Sequence, residues 1–132
     1  VNPATRYVAG FIGSPSMNFL AGRSEGGGGI ALDHGGAVRY ASGNAEAGRA
    51  VTVGIRPEHL MPSGAADALF AGTVEMVEPL GADTLVHLSH GEDLLTARLP
   101  NGTDPGIGSA LHLTADAAHV YLFDAGTGDR IR

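Results

Sequence analysis

Cysteine, tryptophan and lysine do not occur among the 132 residues, and all eight basic side chains are arginine. Without cysteine there is no disulfide and no thiolate-held metal, and a reducing compartment is permitted. Without lysine there is no P-loop, whose Lys neutralises the phosphates that the loop's backbone N–H groups wrap. No apolar run approaches the roughly 20 residues of a membrane-spanning helix, and no signal peptide is visible. Positive charge is scarce: the formal net charge is −6, with three Tyr and four Phe as the only aromatics. A nucleic-acid or anionic-membrane binder needs a basic face, and single-strand binders add exposed aromatic platforms, so both classes are disfavoured. Glycine, by contrast, is abundant at 21 residues. The length fits one domain, or a small domain with an appendage. Val1-Asn2-Pro3, with no initiator Met, reads as the interior of a longer protein.

Helical periodicity is confined to the start. Asn2 can cap a helix, Pro3 suits its first position, and Tyr7, Val8, Phe11 and Ile12 fall on one stripe over residues 3–12. Gly10 and Gly13 weaken this helix, and Ser14-Pro15 ends it. So short an amphipathic helix needs a surface, either on this domain or elsewhere in the protein. From Met17 the pattern is that of strands, expected at Asn18–Arg23, Ile30–Asp33, Ala37–Tyr40, Ala50–Arg56, Ala71–Glu78, Thr84–Ser89, Leu94–Leu99, Ala110–Thr114 and His119–Phe123. Gly26 to Gly29 reads as a flexible connector, Asn101–Gly108 as a loop, and Gly126–Arg132 as a polar tail. Val74 and Met76 point to one face, yet Val77 follows; a bulge or burial of both faces would reconcile this. No tandem repeat stands out. About eight or nine short strands at this spacing indicate an all-β barrel or sandwich.

One corner concentrates polar groups. Val51, Val53 and Ile55 alternate with Thr52, Gly54 and Arg56, and Pro57 then ends the ladder because it offers no N–H. Pro57 suits the first position of a helical turn, and Glu58 sits at that turn's positive end. Arg56, Glu58 and His59 are thereby held together, as an architectural corner or as a working contact.

Four segments resemble one family. They are Phe11-Ile12-Gly13-Ser14-Pro15-Ser16-Met17-Asn18-Phe19-Leu20, Gly54-Ile55-Arg56-Pro57-Glu58-His59-Leu60, Val77-Glu78-Pro79-Leu80-Gly81-Ala82-Asp83-Thr84, and Val120-Tyr121-Leu122-Phe123-Asp124-Ala125-Gly126-Thr127-Gly128. Their order and spacing are similar to the C-terminal region of ATP-binding subunits of sugar-type ABC importers, the maltose and glycerol-phosphate group, which carries the transport-associated OB (TOBE) domain. The resemblance implies an OB-like Greek-key β-barrel with a short N-terminal helix. Residues 1–16 would be the end of the ATPase domain and its linker, and residues 17–132 the regulatory, dimer-forming barrel. It implies partners: the chain's own ATPase domain, a second copy of the subunit, permease subunits reached through the ATPase domain, and in some relatives a regulatory protein. It implies a cytoplasmic place at the inner face of the membrane. ATP and Mg would belong to the ATPase domain, with no cofactor in this segment. Phe11, Ile12, Met17 and Phe19 are then candidates for packing at the ATPase–barrel border, and Arg56, Glu58 and His59 for an interdomain or regulatory contact.

Other chemistries are weaker. His87 and His90, three apart on a strand, fall on opposite faces, and His34, His59, His112 and His119 are scattered, whereas zinc wants three or four convergent ligands. His59 is expected to hydrogen-bond locally. Gly22-Arg23-Ser24-Glu25-Gly26 matches the nucleophile-elbow pattern but lacks the helix that must follow the serine. No catalytic residue is therefore assigned. A competing function is a small-ligand or oxyanion sensor, with Arg56 or Arg98 gripping the anion. The alternative for Arg56 is an ion pair with Glu58 or a neighbouring carboxylate.

Overall fold

A computed structural model describes residues 16–40 and 45–132. The helix expected over residues 3–12, with Phe11 and Ile12, lies outside the described residues. Eleven strands follow: β1 (Asn18–Gly26), β2 (Gly29–Leu32), β3 (Ala37–Arg39), β4 (Ala50–Ile55), β5 (Met61–Pro62), β6 (Phe70–Pro79), β7 (Asp83–His90), β8 (Asp93–Pro100), β9 (Ala110–Thr114), β10 (Tyr121–Asp124) and β11 (Arg130–Ile131). Helix among the described residues is limited to two 3-10 turns, Pro57–His59 and Ala117–His119. One antiparallel sheet has the order β11-β10-β4-β1-β2-β3, and the other β5-β9-β6-β7-β8.

Both sheets contain a Greek key, three consecutive strands with the fourth returning beside the first. In one sheet these are β1 to β4, in the other β6 to β9. The second half repeats the first in register. Leu20 faces Val53 and Gly22 faces Val51; Phe70 faces Leu113 and Gly72 faces Leu111. Ser24 pairs with Ile30 and Gly26 with Gly29, skipping Glu25; Val74 pairs with Leu88 and Met76 with His87, skipping Glu75. The Arg49 carbonyl accepts from Ser24 N–H at 2.9 Å and the Ser24 carbonyl from Gly48 N–H at 2.7 Å, as Ser109 does from Val74 at 2.9 Å and Val74 from Gly108 at 2.7 Å. The sequence keeps a trace of this: Leu20-Ala21-Gly22 and Glu25 against Phe70-Ala71-Gly72 and Glu75, and Gly48, Ala50 against Gly108, Ala110. The repeat escapes a reading by eye because the shared positions are mostly Gly, Ala and interchangeable apolar residues, while the loops differ in length.

The fifth strands are exchanged. β5 leaves the first half to pair with β9, Met61 on Thr114. β10 leaves the second half to pair with β4, Tyr121 on Gly54. The two crossing points are the two 3-10 turns, each followed by a buried apolar residue, Leu60 and Val120. The shared core takes Leu20, Val53, Ile55 and Leu122 from one sheet, and Phe70, Val74, Leu88 and Leu113 from the other.

Three sequence expectations are corrected or sharpened here. The bulge lies at Glu75, so Val74 and Val77 both turn toward the core although three positions apart. Gly26 to Gly29 is a tight hairpin rather than a flexible connector: Gly26 pairs with Gly29, and Gly27 and Gly28 have φ of 63° and 85°. A Cβ on Gly28 would come within 2.9 Å of the Tyr40 carbonyl oxygen. The polar tail also folds back, since β11 pairs with β10 and Ile131 is buried. The Tyr40 hydroxyl donates to the Ile131 carbonyl.

Asn18 joins the sheets. Its Nδ2 donates to the Thr96 carbonyl and its Oδ1 accepts from the Thr96 N–H, both at 2.8 Å. β8 is an edge strand, and in an antiparallel pair alternate residues turn both backbone groups away from their neighbour. Thr96 is such a residue, and the Asn18 carboxamide supplies the peptide partner that the edge lacks. Asn18 and Thr96 are both buried, so neither backbone group can fall back on water. Asn18→Ala is expected to destabilise the fold by about 2–4 kcal/mol, the cost of leaving a buried donor and acceptor unpaired. Urea unfolding would show this as a lower midpoint with an unchanged slope; an unshifted midpoint would contradict the role given to Asn18.

Candidate functional site

On the outside of the first sheet, opposite the core, side chains of β1, β4 and β10 form one face. Phe19, Gly54 and Tyr121 lie in one row and Ala21, Thr52 and Phe123 in the next. Gly54 is a gap in this face that neighbours fill: a Cβ there would meet Met17 Sδ at 2.5 Å and the Phe123 ring at 2.9 Å. Phe19 and Phe123 meet edge to face at 5.9 Å between centroids, a favoured aromatic geometry. Arg130 stacks over Tyr121 at 4.6 Å. Phe19 remains 41 % exposed. Among the candidates read from sequence, Met17 and Phe19 thus come together here. Tyr121 and Phe123, missed as site residues, were signalled by their alternation with Val120 and Leu122.

Arg56 and Glu58 stand exposed at the same end of β4. Arg56 has extended backbone (φ −69°, ψ 147°) before the Pro57–His59 turn, as a residue before proline should, and its carbonyl accepts the His59 N–H at 3.0 Å. The expected ion pair with Glu58 is not found: among the described residues the carboxylate pairs are Arg49–Asp124, Arg98–Asp83 and His87–Glu78. Arg98 is therefore engaged, with Nη1 2.7 Å from Asp83, whereas Arg56 has no carboxylate partner among the described residues.

His59 is also corrected. Its Nδ1 has no hydrogen-bond partner among the described residues; instead its ring stacks on His119, centroids 3.7 Å apart and planes 10° from parallel. The two histidines occupy equivalent places in the two 3-10 turns, so the stack lies where the two halves of the chain cross. They are far apart in sequence, and only the duplicated fold brings them together.

The remaining polar groups are structural. His87, buried, has Nε2 2.5 Å from Glu78 Oε1 and Nδ1 3.3 Å from Thr96 Oγ1. This acid–imidazole–hydroxyl order resembles a hydrolase relay, but Thr96 is only 4 % exposed and leaves a substrate no access. His90 lies on the other face of β7, its Nε2 2.9 Å from the Gly35 carbonyl oxygen. Ser24 of the elbow-like pattern is buried in β1 and donates to the Ala45 carbonyl at 2.7 Å. No group of three or more potential ligands among the described residues is arranged to hold a metal ion.

Residues 53–123 match the TOBE domain family, and residues 13–60 match the MalK OB fold domain. This chain belongs to the TOBE domain family. The TOBE chain is 42 % identical over 130 residues to the sulfoquinovosyl glycerol transport ATP-binding protein SmoE of Agrobacterium fabrum, covering 95 % of itself and 36 % of that relative. It is 44 % identical over 136 residues to the sn-glycerol-3-phosphate import ATP-binding protein UgpC of Paraburkholderia xenovorans, covering 97 % of itself and 37 % of that protein. It therefore spans little more than a third of these relatives' length. Its fold is also that of the cytoplasmic molybdate-binding protein ModG, whose structure has molybdate bound (TM-score 0.65, 18 % identity, 80 % of this chain and 94 % of that one). The OB-like Greek-key barrel expected from sequence is the fold observed.

The fourth TOBE motif has a local explanation. Asp124 Oδ1 accepts N–H groups from Gly126 at 2.8 Å and Thr127 at 2.9 Å, shaping the turn between β10 and β11, while Oδ2 accepts from Arg49 at 2.8 Å. The Arg49 hydrogen bond, with help from the Thr127 and Gly126 amides, lowers the Asp124 pKa from 3.8 to about 2. A carboxylate whose folded pKa is depressed stabilises the fold above its unfolded pKa and loses that contribution as pH falls through the folded value. Asp124→Asn should therefore lower the urea midpoint at pH 5, and its gap to the parent should close between about pH 4 and pH 2. A gap that persists unchanged to pH 2 would contradict the assignment.

Proposed function

We propose that this chain is the regulatory and dimer-forming domain of the ATP-binding subunit of an ABC importer for a sugar or glycerol-phosphate solute, and is not itself catalytic. The observation that carries this reading is identity of 42–44 % to importer ATP-binding proteins along nearly the whole chain. With no lysine in the chain, ATP and Mg would be handled by the ATPase domain of the same subunit. Residues 1–16 would border that domain and residues 17–132 form the regulatory barrel. The permease would be reached through the ATPase domain, placing the subunit at the cytoplasmic face of the membrane. Among the described residues no helix is long and apolar enough to cross a membrane.

The mechanism is mechanical. ATP closes two ATPase domains while the paired barrels stay together as a base. A regulatory protein or ligand that prefers one spacing of the barrels shifts the cycle by its difference in affinity for the two states. Met17 and Phe19 supply apolar contact, and Arg56 and Glu58 supply exposed charge at the same end of the sheet. His59 holds the corner through His119.

A second reading, binding of a small oxyanion, is favoured by Arg56, an exposed guanidinium with no carboxylate partner among the described residues. Titration calorimetry with molybdate, sulfate and phosphate separates the two. No heat of binding is expected; saturable binding lost in Arg56→Ala would favour the sensor. For the importer reading, the corresponding segment of a glycerol-3-phosphate importer's ATP-binding protein would be replaced by this chain. Uptake should be retained, and should fall in the same chimaera carrying Glu58→Ala with dimerisation intact. A folded, membrane-assembled chimaera without uptake would overturn the reading.

A further inference from the structure

Four asparagines supply every side-chain carboxamide, since the chain has no glutamine. Their successors differ: Pro3 follows Asn2, Phe19 follows Asn18, Ala45 follows Asn44, and Gly102 follows Asn101. An asparagine loses ammonia when the next backbone nitrogen reaches its side-chain carbonyl carbon. A following proline has no N–H to give up, and a following side chain hinders the approach. Glycine, with no Cβ, hinders it least. The structure separates the two described asparagines further. Asn18 is buried, and Thr96 holds both ends of its carboxamide. Asn101 and Gly102 are exposed in the loop that follows β8. There the Pro100 carbonyl accepts the Thr103 N–H at 3.1 Å and the Thr103 hydroxyl at 2.7 Å. Gly102 has φ of 89°, and among the described residues only glycines have positive φ. This is a type II turn with Asn101 and Gly102 at its centre, and its closing hydrogen bond leaves the Gly102 N–H out. A Cβ on Gly102 would meet nothing within 4 Å, so the peptide plane between the two residues has room to rotate.

We propose that Asn101 is a site of spontaneous deamidation, gated by the hydrogen bonds from Thr103 to Pro100. When the turn opens, the Gly102 nitrogen gives up its proton and attacks the Asn101 side-chain carbonyl carbon. The bond from that carbon to the carboxamide nitrogen breaks, the nitrogen leaves as ammonia with the proton, and a succinimide ring remains. Water then opens the ring at either carbonyl. One opening gives aspartate; the other gives isoaspartate, whose backbone runs through the former side chain. The co-reactant is water, and nothing is oxidised or reduced. Either product adds a carboxylate to a loop that already carries Asp104. Isoaspartate also inserts a methylene into the backbone between Pro100 and Thr103, inside the turn that Thr103 closes. The inference concerns this loop alone and stands apart from the importer reading.

The test follows the whole folded chain over days in mildly alkaline buffer, which favours loss of the amide proton. Trypsin, cutting after Arg98 and Arg130, releases Leu99–Arg130, in which Asn101 is the one carboxamide. Mass spectrometry should find this peptide heavier by the difference between a hydroxyl and an amino group. Part of it should be labelled by protein isoaspartate methyltransferase, while the peptide holding Asn18 stays unchanged. Asn101→Gln, which would have to close a larger and less favoured ring, should show no gain. Thr103→Val removes one of the bonds that close the turn. It should speed conversion severalfold in the folded chain and leave the rate in guanidinium chloride unchanged. If Asn101 keeps its amide in the folded chain after the unfolded chain has been converted, the proposal is overturned. Equal rates for Thr103→Val and the parent in the folded state would overturn the gating by the turn.

Discussion

The exchange of fifth strands is the constraint on which the rest of this structure depends. Each Greek key leaves the edge of its fourth strand, β4 or β9, without a strand of its own half. β10 covers the first and β5 the second. Val53 and Leu122 on one side, and Leu113 on the other, are among the least exposed side chains in the chain. They are buried only because both halves are present. Neither half could shield its apolar surface alone, so burial, the main favourable term in folding, is available to the two together.

That exchange fixes the local structure around it. Both crossings need a sharp turn from one sheet to the other. Pro57 supplies one by ending the β4 ladder, and Asp116 supplies the other by accepting the Ala118 N–H at 2.9 Å. The crossings run side by side, which leaves His59 and His119 in contact. The bulge at Glu75 follows the same logic: it shifts the strand by one residue, so Val74 before it and Val77 after it both face the core. Asn18 then closes the gap between the sheets at Thr96, where no strand is left to pair.

Strand existence was legible in the sequence, because alternation such as Val51, Val53, Ile55 against Thr52, Gly54, Arg56 records burial directly. The irregularity in β6 was legible too, from Val77 following Val74 and Met76, although a bulge and burial of both faces explained it equally until the register was seen. The corner was placed well, but its partners were not. Arg56 was expected to find a carboxylate and finds none among the described residues, and His59 was expected to bond locally and stacks across a long sequence separation. Pairing between distant residues leaves no periodic signal. The duplication was hidden for a related reason: register repeats while identities drift within the apolar class. The final strand was misread because Arg130-Ile131 is too short to alternate, although Ile131 is buried and its carbonyl is held by Tyr40.

The claim that the exchanged strands bind both halves into one cooperative unit is tested most directly by native-state hydrogen exchange. The slowest amides of β1 and β4 and those of β6 and β9 should report the same opening free energy, equal to that of global unfolding, and should respond to urea with the same slope. If one Greek key opened at a distinctly lower free energy while the other stayed protected, the halves would be independent and the account would be wrong.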